Sequence, residues 1–126
     1  MPCVLVVDDE KDVRAMMAIV LRVRQFEIVE AANAAAALQA LEGTSFDAAI
    51  VDIFLADTNG FELIAALRER APDLPVVAVS GIATVDLASP AAGISNVVSL
   101  QKPFRPNDLI AAVELARAAA TAAVNT

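Results

Sequence analysis

Histidine, tryptophan and tyrosine are absent from the 126 residues, and a single cysteine, Cys3, stands near the start. Without histidine the chain can build no Ser-His-Asp triad, no His-ligated zinc site and no imidazole acid–base pair. One cysteine allows neither an intramolecular disulfide nor a cysteine cluster. Basic residues are scarce. Nine Lys plus Arg against 16 Asp plus Glu leave a net charge of −7, which argues against direct contact with a nucleic-acid backbone. Long apolar runs are also missing. The run from Val4 to Val7 is short and meets Asp8-Asp9-Glu10, so it is neither a signal peptide nor a membrane span, and a soluble cytoplasmic protein is expected. Aromatic side chains are limited to five Phe, whereas alanine occurs 28 times. A core of aliphatic strands and helices packed closely by small side chains is expected from that balance. With 58% hydrophobic residues, the length suits one domain over residues 1–126 that buries about two thirds of its unfolded surface. The Ala-rich tail from about residue 121 is expected to fray.

Short β-branched runs alternate with Ala/Leu stretches of helical period, the pattern of consecutive βαβ units. Strands are predicted at Cys3 to Val7, Glu27 to Ala31, Ala48 to Val51, Val76 to Val79 and Val97 to Leu100. Three of the five are apolar throughout, as strands covered on both faces of a parallel sheet must be. Helices are predicted from Lys11 to Val23, Ala34 to Leu41, Gly60 to Arg70 and Pro106 to about Ala120. In the first, Val13, Met16, Met17 and Val20 fall at helical spacing and are expected to form one buried stripe. Asn33 can cap the second, and Pro106 suits the first turn of the last. Pro90 interrupts the stretch from Ala83 to Gly93, where a further helix between the fourth and fifth strands is expected to be short or irregular. The fold class is thus α/β, a doubly wound five-stranded parallel sheet, for which the common order 2-1-3-4-5 is taken.

Open parallel sheets bind ligands at the carboxyl ends of their strands, near the switch in strand order. Asp8 and Asp9 follow the first strand, Asp52 the third, Ser80 the fourth and Lys102 the fifth. Since strands one and three are neighbours in this order, three carboxylates converge on one pocket. Like charges that close are costly unless offset. A hard, all-oxygen site of carboxylates and waters suits Mg²⁺, or Mn²⁺, better than zinc. Lys102 adds a compact positive charge and Ser80 a hydroxyl, both suited to phosphoryl oxygens. Together these groups make a site for forming an aspartyl phosphate.

Each residue alone has an ordinary reading. A strand-end Asp is usually a solvated cap, an acidic pair favours the start of a helix, and Ser80 and Lys102 would be loop and surface groups. Their common position at strand ends is what favours a site. By contrast, Glu62, Arg68, Glu69 and Arg70 read as a solvated helix face, Met16 and Met17 as packing, and Cys3 as an inert thiol.

Four stretches carry a more specific signal. They are Val4-Leu5-Val6-Val7-Asp8-Asp9-Glu10, Asp47-Ala48-Ala49-Ile50-Val51-Asp52 with Gly60 eight residues on, Val79-Ser80-Gly81, and Lys102-Pro103-Phe104. In these motifs and in their spacing, with 43, 28 and 22 residues separating Asp9, Asp52, Ser80 and Lys102, the chain resembles the CheY-like receiver domain of two-component response regulators over essentially its whole length. The resemblance implies that Asp52 accepts a phosphoryl group from a phosphohistidine on a sensor histidine kinase or histidine phosphotransfer protein. It implies Mg²⁺ bound directly by Asp9 and Asp52, through water by Asp8, and by the backbone carbonyl of Phe54. Ser80, Gly81 and Lys102 would bind the phosphoryl group, and the bond before Pro103 would be cis. Phe54 and Ile82 would flank the path of the water that hydrolyses the phosphoryl bond, two apolar groups that slow its loss. An output surface including Val85, Leu87 and Ser99 would meet a downstream protein, with the domain a monomer or a phosphorylation-linked homodimer. The family usually has an aromatic residue at the Ser99 position, and Leu55-Ala56 replaces a frequent Met-Pro.

Other classes fit less well. A haloacid-dehalogenase-type phosphatase would carry a second Asp two residues after the nucleophile, where Phe54 stands. A flavodoxin-like flavin binder would need hydroxyl and glycine donors in the first loop, and Asp8-Asp9-Glu10 would repel its phosphate. A receiver-like interaction module that is never phosphorylated is the alternative, set against five filled site positions. The chain ends just after the last helical pattern, which suits a stand-alone regulator or an excised receiver. Enzymatic turnover is not expected beyond the domain's own phosphorylation and dephosphorylation.

Overall fold

The computed structural model describes residues 2–81 and 97–124, with side chains as far as residue 119. Five strands, β1 (Cys3–Val7), β2 (Glu27–Ala31), β3 (Ala48–Asp52), β4 (Val76–Ser80) and β5 (Val97–Gln101), pair in parallel in the order β2-β1-β3-β4-β5. Four helices accompany them among the described residues: α1 (Lys11–Val23), α2 (Ala34–Gly43), α3 (Gly60–Arg70) and α4 (Pro106–Val124). None of these helices is long and apolar enough to cross a membrane.

The sheet is covered on both sides because its central strands are apolar on both sides. Successive residues of a strand face opposite ways, so each central strand serves two cores. Leu5, Val7, Ala49, Val51, Val76 and Ala78 pack with Ala37 of α2 and Leu63, Ile64 and Leu67 of α3. Val4, Val6, Ala48, Ile50, Val77 and Val79 pack with Met17 and Leu21 of α1 and Leu109, Val113 and Ala116 of α4. Alanine on both sides of these contacts lets helix backbones approach the sheet. The two edge strands are less covered, β2 with two exposed and two half-buried residues of five and β5 half-buried at four of its five.

β1, β2, α1 and α3 have the limits their patterns predict, and β3, β4 and β5 each extend one residue further, so that Asp52 and Ser80 are the last residues of their strands. α2 runs to Gly43, with Asn33 accepting from Ala36 N–H as its cap, and α4 runs to Val124. The buried stripe of α1 differs from expectation at Met16. Met17, Ala18 and Leu21 are buried, Val13 and Val20 are half-buried, and Met16 is exposed. Arg14 is instead half-buried, with Nη1 donating to the Asp8 carbonyl at 2.7 Å and Nε to Glu30 Oε1 at 3.2 Å. Arg68 is likewise not a free surface charge, since Nε and Nη2 donate to the Leu74 carbonyl at 3.3 and 3.2 Å. Cys3 is half-buried, and burial with Glu27 and Asp47 nearby pushes its thiol up, as an unreactive group requires. The expected irregular helix from Ala83 to Gly93, with Ile82, Val85 and Leu87, lies outside the described residues.

Candidate phosphoryl-acceptor site

Parallel pairing in register brings the strand ends level. Val7 pairs with Val51, Asp52 with Val79, and Ser80 with Gln101, so the residues that follow or end these strands share one rim. There Asp8 and Asp52 are buried and Asp9 is exposed. Carboxylate oxygens of the three lie within 4.8 Å of one another. Lys102, which follows β5, reaches across with Nζ 3.2 Å from Asp8 Oδ2 and 3.1 Å from Asp52 Oδ2. Its own N–H donates to the Ser80 carbonyl at 2.7 Å, fixing the lysine to the end of β4. The Lys102–Pro103 peptide bond is cis.

Backbone donors hold each carboxylate by one oxygen. Glu10 N–H donates to Asp8 Oδ1 at 2.8 Å, Phe54 N–H to Asp52 Oδ1 at 2.9 Å, and Ala56 N–H to Asp9 Oδ2 at 3.1 Å. Burial raises the Asp8 carboxyl above the usual range, against the pull of the Glu10 N–H and the Lys102 ammonium, while Asp52 adds repulsion. Burial would lower Lys102, but its bond to Asp52 and the charge of Asp8 outweigh that and hold it above its ordinary value. The ammonium therefore stays charged, one cation set against three carboxylates. Such a donor set, all oxygen and short of positive charge, fits Mg²⁺ or Mn²⁺.

The loop after β3 is held close to the strand end. Gly60 N–H donates to the Ile53 carbonyl at 2.8 Å, and a Cβ at Gly60 would stand 2.5 Å from Ile53 Cα and 2.6 Å from the Asp52 carbonyl oxygen. Only glycine fits this approach. Asn59 Oδ1 accepts from Phe61 and Glu62 N–H and so starts α3 immediately afterwards.

Of the residues the sequence singled out, Asp8, Asp9, Asp52 and Lys102 come together as expected. Ser80 is buried at the end of β4, Gly81 follows it at the surface, and Phe54 is exposed beside Asp52. Ser99 is half-buried within β5 opposite Ala78. Ile82, Val85 and Leu87 fall outside the described residues. Sequence reasoning missed Arg14, whose Nη1 donates to the Asp8 carbonyl at 2.7 Å, and Asp57, whose carboxylate accepts from Ala34 N–H at 3.2 Å. No spacing rule marks either, since both act across elements.

A model of the response regulator receiver domain matches residues 4–114. The NtrX-like response regulator of Rickettsia bellii is 33% identical over 109 residues, which are 85% of this chain and 23% of that protein. The transcriptional regulatory protein PrrA of Mycobacterium leprae is 38% identical over 125 residues, 96% of this chain and 53% of that protein. The chain thus spans between about a quarter and about a half of the length of these relatives. Among solved structures, a response regulator receiver protein from Sinorhizobium medicae superposes with a TM-score of 0.85 at 27% identity, covering 94% of this chain and 96% of that one. The chain belongs to the response regulator receiver domain family.

Proposed function

We propose that residues 1–126 form one receiver domain that accepts a phosphoryl group on Asp52 from a phosphohistidine of a sensor histidine kinase or phosphotransfer protein. The observation that carries this reading is the Lys102 ammonium placed 3.1 Å from Asp52 and 3.2 Å from Asp8, with Asp9 at the same rim. Asp8, Asp9 and Asp52, with the Phe54 carbonyl, would hold Mg²⁺. When bound, the ion neutralises the carboxylates and the phosphoryl oxygens.

An Asp52 carboxylate oxygen attacks phosphorus, a P–O bond forms, the P–N bond of the phosphohistidine breaks, and its electron pair returns to the imidazole of the donor protein. Lys102 then exchanges a carboxylate for a phosphoryl oxygen without changing its own charge. Ser80 offers its hydroxyl and Gly81 its backbone to the same group. Phe54, apolar and exposed beside Asp52, narrows the approach of water to the product and so lengthens its lifetime. A protein partner that reads the phosphorylated state completes the function.

Incubation with Mg²⁺ and acetyl phosphate, followed by intact mass, tests the assignment. The wild type should gain one phosphoryl group and Asp52→Asn none. A gain on the Asp52→Asn variant would place the acceptor elsewhere, and no gain on either would favour an interaction module that is never phosphorylated.

A further inference from the structure

Asp57 bears no part of the site described above, yet its surroundings connect it to one of the metal-binding carboxylates. Phe54 and Asn59 form an isolated antiparallel bridge that pinches the loop after β3, leaving residues 55–58 as its tip. Two hydrogen bonds pin the exposed middle of that tip to different elements. Ala56 N–H donates to Asp9 Oδ2 at the end of β1, and the Asp57 carboxylate accepts Ala34 N–H, the first backbone donor of α2, at 3.2 Å. α2 already has its local cap, because Asn33 Oδ1 accepts from Ala36 N–H at 2.8 Å. Asp57 is thus a second, long-range cap on a donor that Asn33 does not reach.

Asp9 is the exposed member of the three carboxylates, and an exposed side chain has rotamers to lose before it can ligate. The Ala56 N–H fixes one of its oxygens and with it the plane of the carboxylate. That amide is itself placed only as well as the loop tip is placed. We propose that Asp57 is a positioning residue for the metal site: by anchoring the loop tip to α2 it holds the Ala56 N–H against Asp9 and so orients Asp9 toward the cation. The inference rests on the metal-binding reading above. Partners behind first ligands commonly change metal affinity by about tenfold or more, and Asp57 stands one bond further back.

The test is Mg²⁺ titration of the full chain by calorimetry, with amide exchange at Ala56 and Ala34 followed in metal-free protein. Asp57→Ala should raise the Mg²⁺ dissociation constant by about three- to tenfold and speed exchange at both amides. Asp57→Asn keeps an acceptor oxygen for Ala34 N–H but loses the charge, and it should stay within about twofold of wild type. Asn33→Ala removes a cap of similar strength from the same helix without touching the loop, so it should lower thermal stability and leave Mg²⁺ affinity unchanged. Equal losses in Asp57→Ala and Asp57→Asn would mean that charge alone acts, and an equal loss in Asn33→Ala would mean that α2 stability acts. Either result overturns the proposal, as does Mg²⁺ affinity unchanged in Asp57→Ala. A wild type that binds no Mg²⁺ would instead overturn the metal-site reading, and this inference with it.

Discussion

The two ends of the sheet use polar groups in opposite ways. At the carboxyl end, buried Asp8 and Asp52 crowd one lysine, and each carboxylate is held there by a neighbouring backbone N–H. At the amino end, bonds are mostly to neutral backbone groups. Glu27 N–H donates to the Pro2 carbonyl, Ala49 N–H to the Pro75 carbonyl, and Arg68 to the Leu74 carbonyl. Among the described residues, carboxylates act there only in exposed settings, Asp47 accepting Cys3 N–H and Glu42 standing 3.9 Å from Arg70. The apolar sheet between the two ends is continuous. The difference therefore lies in what the loops do: amino-end loops close the fold, and carboxyl-end loops hold charge that the fold alone does not need.

The sharpest way to break the comparison is at Gly60, where fold and site meet. Gly60→Ala would put a methyl group within 2.5 Å of Ile53 Cα and 2.6 Å of the Asp52 carbonyl oxygen, both backbone atoms that cannot rotate away. A loss of about 3 kcal/mol of stability is expected, the upper range for overpacking. Because the displaced backbone carries Asp52, acetyl phosphate labelling should fall as well, even at temperatures where the variant is folded. Chemical denaturation and intact mass on the same sample measure both. Wild-type labelling in a destabilised variant would separate the fold's demand for glycine from the site's.

A smaller effect tests whether the carboxyl end really opposes stability. Folding raises the Asp8 carboxyl above its ordinary value, so its protonated form is favoured in the native state. The corresponding contribution is fully present below the unfolded value near ~4 and is lost as pH rises through the folded value. In metal-free protein, Asp8→Asn should therefore melt higher than wild type at neutral pH. The gap should close as pH falls toward 4. Millimolar Mg²⁺ should narrow or reverse it, since only the wild type keeps all three carboxylates to bind the ion. A variant less stable than wild type at pH 7 without metal would show that the Lys102 bond to Asp8 outweighs the cost of burying the carboxylate.

The same contrast explains how much was legible in the sequence. Strand positions followed from apolar runs and the βαβ pattern, whereas the order 2-1-3-4-5 is not fixed by those runs, and it is this order that brings Asp8, Asp9, Asp52 and Lys102 to one rim. Their charges at strand ends were the signal. Arg14 and Asp57 escaped because each bonds to a backbone group or a carboxylate on another element, and no periodicity encodes such a contact. Of the expected α1 stripe, Val13, Met17 and Val20 pack against the core and only Met16 does not. Hydropathy favours Met16 over Arg14 for the inner face, but Arg14 finds the Asp8 carbonyl and Glu30 there, while Met16 is left exposed.

The smallest expected effect concerns the end of the fold with no chemistry. α1 closes with Phe26 N–H donating to the Leu21 carbonyl and Gln25 N–H to the Arg22 carbonyl, the paired bonds of a Schellman motif, and Leu21 and Phe26 are buried in the same core. That motif requires a left-handed residue, and here it is Gln25, at φ 67°. A side chain in this region costs about 1 kcal/mol that glycine avoids, partly offset by the greater freedom glycine has when unfolded. Gln25→Gly should consequently raise stability by about 0.5 kcal/mol, measured by chemical denaturation. Mg²⁺ affinity and acetyl phosphate labelling should not change, since the turn lies at the opposite end of α1 from Asp8 and Asp9. A change in either would mean that α1 transmits strain along its length to the carboxyl end, and that the two ends are not independent.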